Sequence, residues 1–121
     1  MRFDRVIPVL RIFDVGKAKE FYVDYLGMTI DWEHRFEPQF PLYMQVSRGG
    51  LVLHLSEHHG DGTPGSVVTV DTAEVASLHA ELRSKQYRHL NPGLETDEIG
   101  THLFLLDPFG NTLRFNERPA S

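Results

Sequence analysis

The sequence contains no cysteine, which excludes disulfides, thiolate metal sites and a cysteine nucleophile. It also lacks any run approaching the ~18 apolar residues of a membrane span. Met1 leads into a strand pattern rather than a signal peptide, so a cytoplasmic location is expected. Basic residues are few. Twelve Lys and Arg stand against 17 Asp and Glu, a formal charge of −5, and no basic cluster offsets it. Nucleic acid is therefore a poor partner, and a neutral or cationic small ligand is mildly favoured. There is no nucleophile elbow and no glycine-rich phosphate loop between a strand and a helix. Gly60-x-Gly62-x-x-Gly65 lies in a linker and does not count as one. With 121 residues, 40% of them apolar, the chain is long enough to bury a core without staples.

The most informative stretch is Ile99 to Glu117. Two apolar runs flank Asp107-Pro108-Phe109-Gly110-Asn111, in which proline fixes φ, glycine accepts φ > 0 and the Asp and Asn side chains bond nearby backbone. That pattern predicts a β-hairpin. Its second arm, Leu113-Arg114-Phe115-Asn116-Glu117, has a twin in Leu53-His54-Leu55-Ser56-Glu57. The chain thus reads as built twice. In the first half, Phe3 to Ile12 reads as a strand broken by Pro8. Asp14 caps a helix over Val15 to Leu26, with Ala18, Phe21, Tyr22, Tyr25 and Leu26 on one face and Gly27 after it. Strands are expected over Met28–Phe36, Leu42–Arg48 and Leu51–Glu57, the last two joined by Gly49-Gly50. In the second half the expected elements are a strand over Ser66–Val70 and a helix opened by an Asp71-x-x-Glu74 capping box. A glycine-free helix end at Gln86, a strand over Tyr87–Leu90 and a polar loop from Asn91 to Glu98 complete it. The caps Asp14 and Asp71 are 57 apart and the closing strands 60 apart, a period too long for a solenoid unit.

Paired βαβββ modules of this kind resemble the vicinal oxygen chelate superfamily of glyoxalases, extradiol dioxygenases and bleomycin resistance proteins. The marks are Ile7-Pro8-Val9-Leu10, Asp14, Phe21-Tyr22 with Leu26-Gly27, Val70-Asp71 and Asp107-Pro108-x-Gly110-Asn111. Together they cover nearly the whole chain. Pro8 and the stretch Leu53-x-Leu55-Ser56-Glu57-His58-His59-Gly60-Asp61 look most like the bleomycin resistance branch. The resemblance implies an α+β fold, a single domain over residues 1–121. Its two modules, about 1–57 and 65–117 with a linker at about 58–64, have pseudo-twofold symmetry and form a curved mixed sheet around a cleft. The superfamily's enzymes chelate a divalent metal at four strand positions, which transfer to Ile7, His54, about Gly65 and Arg114. Isoleucine and glycine offer no ligand atom, and a guanidinium keeps its protons. The expectation is no metal, no cofactor and no catalytic residue.

Strand alternation gives His54 and Ser56 one face, shared by repeat with Arg114. Candidate ligand-binding residues are these three with Glu57, His102 and the off-helix aromatics Trp32, Phe36, Phe40, Tyr43 and Phe104. Flat rings stack on such side chains. Trp32 and Phe36, four apart, are expected on one strand face. The competing explanation for each is plain core packing or a satisfied interior hydrogen bond. His54-x-x-Glu57-His58 matches an inverted zinc-peptidase motif, but on a strand its histidines would lie ~13 Å apart. The branch's drug binders carry a tryptophan where this chain has about Ile99.

The function so implied is a non-enzymatic, antibiotic-resistance type of binding protein, sequestering a bleomycin-like cationic glycopeptide or aromatic antibiotic without modifying it. The alternative is a glyoxalase- or dioxygenase-like metal enzyme using His54, Glu57 and His102 on a small oxygenated substrate. The resemblance also implies a homodimer, with strand one exchanged and two clefts at the interface.

Overall fold

The computed structural model describes residues 1–119. The described residues form two compact units, 1–64 and 65–119. The first unit runs β1 (Val9–Arg11), α1 (Val15–Lys19), a π-helical stretch (Glu20–Tyr25), β2 (Thr29–His34), β3 (Tyr43–Arg48) and β4 (Leu51–Ser56). The second runs β5 (Val67–Asp71), α2 (Val75–Ser84), β6 (Glu95–Thr96), β7 (Thr101–Leu106) and β8 (Thr112–Glu117). Each unit carries its own open four-stranded sheet, ordered β1-β4-β3-β2 and β5-β8-β7-β6. In both, the first strand pairs in parallel with the last and the remaining pairs are antiparallel. The fold is α+β, with two similar modules.

Alternation sorts the two faces of each sheet. Met44, Val46, Leu53 and Leu55 are fully buried, and so are Leu103, Leu105 and Leu113. All five residues foreseen on the first helix face, Ala18, Phe21, Tyr22, Tyr25 and Leu26, are also buried. Their helix begins as expected, with Asp14 Oδ1 accepting from Lys17 N at 2.8 Å. From Glu20 it widens into a π-helix, in which Leu26 N reaches back to Phe21 O at 2.9 Å. Gly27 then turns left-handed, φ 74°.

Several expected elements come out differently. Strand one is paired only from Val9. Proline at position 8 has no N–H to give, although its carbonyl still accepts from His54 N at 3.0 Å. Phe3 and Val6 are consequently 86% and 90% exposed. The capping box does not form, because Asp71 is spent as the last residue of β5, opposite Asn116. The N-cap is Glu74, and the Glu117 carboxylate accepts from Val75 N at 3.2 Å. That moves the helix starts to Val15 and Val75, so the separation of 57 becomes 60, equal to that of the closing strands. Tyr87–Leu90 is no strand but a turn closed by Leu90 N on Tyr87 O at 3.2 Å. The strand beside β7 is Glu95–Thr96 instead, inside the segment expected to be loop. Gln86 ends α2 with φ 51°, accepting the left-handed conformation that glycine would take more cheaply.

The terminal hairpin matches its sequence signal closely. Asp107 Oδ1 accepts from Phe109 N and Asn111 N, both at 2.8 Å, and Oδ2 from Asn111 Nδ2 at 2.9 Å. Gly110 supplies the positive φ, 91°. Among the described residues no helix is long and apolar enough to cross a membrane.

Candidate functional site

In the first unit the face of the sheet away from the buried residues carries an aromatic cluster. Trp32, which is 42% exposed, stacks on Tyr43 with ring centroids 5.9 Å apart and planes 10° from parallel. His54 meets both rings edge-on, at 5.2 Å from Trp32 and 5.1 Å from Tyr43. The register explains the grouping, since Trp32 lies opposite Gln45 and Gln45 opposite His54. His54 is held at both nitrogens. Its Nδ1 is 2.7 Å from Tyr43 Oη and its Nε2 is 3.0 Å from Gln45 Oε1. Partial burial, then the charge of Arg5, pushes its pKa down, while burial, then Asp61, pushes Tyr43 up.

A β-bulge between Ile30 and Trp32 completes this face. Strict alternation would send Asp31 and Trp32 to opposite sides. The extra residue brings both to the same side. Asp31 accepts from Gln45 Nε2 and Ser47 Oγ, each at 3.0 Å, and those two bonds hold its carboxyl below the usual range. Asp31, Gln45 and Ser47 were not among the sequence candidates. No local signal announces a bulge at this point.

The other first-unit candidates are placed elsewhere. β2 stops at His34, so Phe36 lies beyond the strand, 78% exposed and edge-on to His34 at 6.0 Å. Phe40 sits in the turn beyond it, its carbonyl accepting from Arg35 Nη1 at 2.7 Å. Ser56 is fully buried, donating to Asp61 Oδ2 and accepting from His58 N. Glu57 accepts from Leu42 N at 2.9 Å and lies 3.8 Å from Arg35.

The second unit repeats the face with different chemistry. His102, only 8% exposed, sits between Asn116 Oδ1 at 2.8 Å and Asp97 Oδ1 at 2.9 Å. Two acceptors favour the doubly protonated ring, so Asp97 first and Asn116 second raise its pKa. Asp97 is lowered in turn, chiefly by His102. Phe104 stacks on His102 at 6.0 Å, and the Arg114 guanidinium lies 5.8 Å from the Phe104 ring. Asp97 also accepts from Ile99 N and Gly100 N, which closes a turn ahead of β7.

The sequence profile of the family described as "Glyoxalase superfamily protein" matches residues 1–121. The chain belongs to the glyoxalase superfamily. Among solved structures it is similar to a bleomycin-binding protein complexed with bleomycin. The identity is 23%, the TM-score 0.73, and the match covers 97% of this chain and 100% of that one. It is similar also to the bleomycin-binding protein from bleomycin-producing Streptomyces verticillus complexed with copper(II)-bleomycin (25%, TM-score 0.71, 98% and 99% covered). A glyoxalase family protein from Enterococcus faecalis is 16% identical with a TM-score of 0.71, covering 97% and 100%. Comparison with curated proteins by sequence gives no match.

The superfamily's metal positions can be tested against this chain. The repeat places Val67, rather than Gly65, as the counterpart of Ile7, because Val9 pairs with His54 and Thr69 with Arg114. An Ile, His, Val and Arg set does not fit a divalent ion, which requires three or more N or O donors. Among the described residues no three His, Asp or Glu side chains converge as such a donor set would.

Proposed function

We propose that this glyoxalase-superfamily chain is a small-molecule binding protein that sequesters a flat aromatic or cationic glycopeptide antibiotic, of the bleomycin kind, without modifying it. The observation carrying this reading is the exposed Trp32 ring stacked on Tyr43 and braced by His54, on the open side of a sheet whose other side is the core. An exposed indole lying flat against a second ring offers a surface on which a heteroaromatic tail can stack. Phe104, with Arg114 and His102 about it, offers a second aromatic surface on the other module.

The bleomycin-bound relatives support the ligand class. The misfit of the metal positions supports binding over turnover. The protein acts in the cytoplasm as a homodimer. Isothermal titration with bleomycin and with phleomycin tests the proposal, with mass spectrometry of the recovered drug afterwards. Submicromolar binding with the drug returned unchanged is the expected result. No heat at tens of micromolar would sink the drug assignment, and a modified product would sink sequestration.

A further inference from the structure

The hydrogen-bond chain behind Trp32 has a direction, and it can be read from one end. Asp31 as a carboxylate can only accept. Gln45 therefore turns its NH2 group toward Asp31 Oδ2 and its Oε1 toward His54 Nε2, both at 3.0 Å. An amide oxygen can only accept too, so the imidazole proton sits on Nε2. The lone pair left on Nδ1 faces Tyr43 Oη at 2.7 Å, and the tyrosine donates its single proton there. Nothing remains on that oxygen to give outward; it can only accept. Ser47 holds the far end by donating to Asp31 Oδ1 at 3.0 Å. Without Asp31 the Gln45 amide would be free to turn over. The imidazole proton would then sit on Nδ1, and the tyrosine hydroxyl would point its hydrogen out.

We infer that Asp31 is a specificity-determining positioning residue: acting through Gln45 and His54 it turns the Tyr43 hydroxyl proton inward. At the Tyr43 oxygen a bound ring then meets a hydrogen-bond acceptor, and that point selects flat aromatic groups carrying N–H or O–H donors over acceptor-only groups of the same shape. This rests on the reading of that face as the ligand site. It adds to that reading a fixed hydrogen-bond polarity. The Arg5 charge acts the same way at both ends, favouring the Asp31 carboxylate and the neutral His54 ring.

Two measurements on the full chain separate the relay from the ligand reading. The first is the tautomer of His54 by long-range ¹H–¹⁵N NMR. Wild type should show the Nε2–H form, Asp31→Ala a mixture, and Asp31→Asn the wild-type form, since its amide oxygen still accepts from Gln45. Asp31 is exposed, so neither variant opens the core. An Nδ1–H ring in wild type, or an unchanged tautomer in Asp31→Ala, overturns the relay. The second compares indole with benzofuran, equal in shape but with N–H replaced by an acceptor oxygen, by titrating the Trp32 side-chain N–H resonance. Indole should bind wild type about fivefold tighter, the worth of one modest hydrogen bond, and the ratio should fall to about one in Asp31→Ala. Equal binding to wild type with the tautomer intact overturns the selectivity. If neither probe shifts Trp32 at millimolar concentration, the ligand face itself is refuted, and the selectivity with it.

Discussion

His54 and His102 occupy corresponding faces of the two modules and are tuned in opposite directions. Burial and Arg5 lower His54, whereas Asp97 and Asn116 raise His102. The stability from His102 is complete below the ordinary imidazole value of 6.5 and is lost as pH rises through its higher folded value. The His54 contribution has the reverse sense: complete above 6.5, lost as pH falls toward its lower folded value. An NMR titration should place the two midpoints on either side of 6.5, and Asp97→Asn should bring His102 down while leaving His54 where it is. Asp107 gives a second residue-scale test. Its buried carboxylate accepts three turn hydrogen bonds, so Asp107→Ala should cost about 2–4 kcal/mol in chemical denaturation. Trp32, Tyr43 and His54 stood among the sequence candidates, but residue order alone did not separate them from Phe36 and Phe40, which lie beyond β2. Asp31 was not among them, because a bulge breaks the alternation on which such reading depends.

Elements were legible wherever pattern and punctuation agreed. The hairpins at Gly49-Gly50 and Asp107–Asn111 and the buried face of the first helix came directly from residue order. The failures share a cause: a tertiary partner did what a local residue was expected to do. Glu117, 42 positions further along the chain from Val75, does for α2 what the capping box was read as doing. The strand expected at Tyr87–Leu90 forms instead at Glu95–Thr96, where β7 supplies a partner. Removing the Glu117 carboxylate with Glu117→Ala should cost about 0.5–2 kcal/mol, as loss of a helix cap does, with faster hydrogen exchange at the first turn of α2. Gln86 offers the opposite sign. Its φ of 51° is strained for a side-chain-bearing residue, so Gln86→Gly should stabilise the chain by up to about 1 kcal/mol in the same assay.

At the scale of the molecule, the superfamily was legible because its marks are spread over both halves. Residue-by-residue transfer then puts an Ile, His, Val and Arg set at the superfamily's metal positions. The ligand was not legible in the same way, since stacking surfaces tolerate many flat rings. Assembly is the open molecular test. Met1, Phe3 and Val6 stand exposed ahead of a three-residue β1. Apolar side chains on an unpaired arm are what an exchanged edge element would offer a second copy. Light scattering at micromolar concentration should give twice the chain mass of 13.9 kDa. Deleting the first twelve residues should remove dimer and ligand binding together; a truncated chain that still dimerises would show that strand one is not the shared element.

The π-helix in the first module accounts for a difference in length between the two modules. Both modules keep step at 60 positions from β1 to the helix start. The left-handed residues that close the helices, Gly27 and Gln86, are only 59 apart, and so are Tyr43 and His102, which face Ser56 and Asn116 in their hairpins. The first module therefore holds one residue more between the start and the close of its helix than the second does. A wider helical turn is how a helix stores such an extra residue without rotating the chain beyond it. Excising one codon from the 20–25 segment should accordingly give back an unbroken α-helix, with every downstream strand still in register.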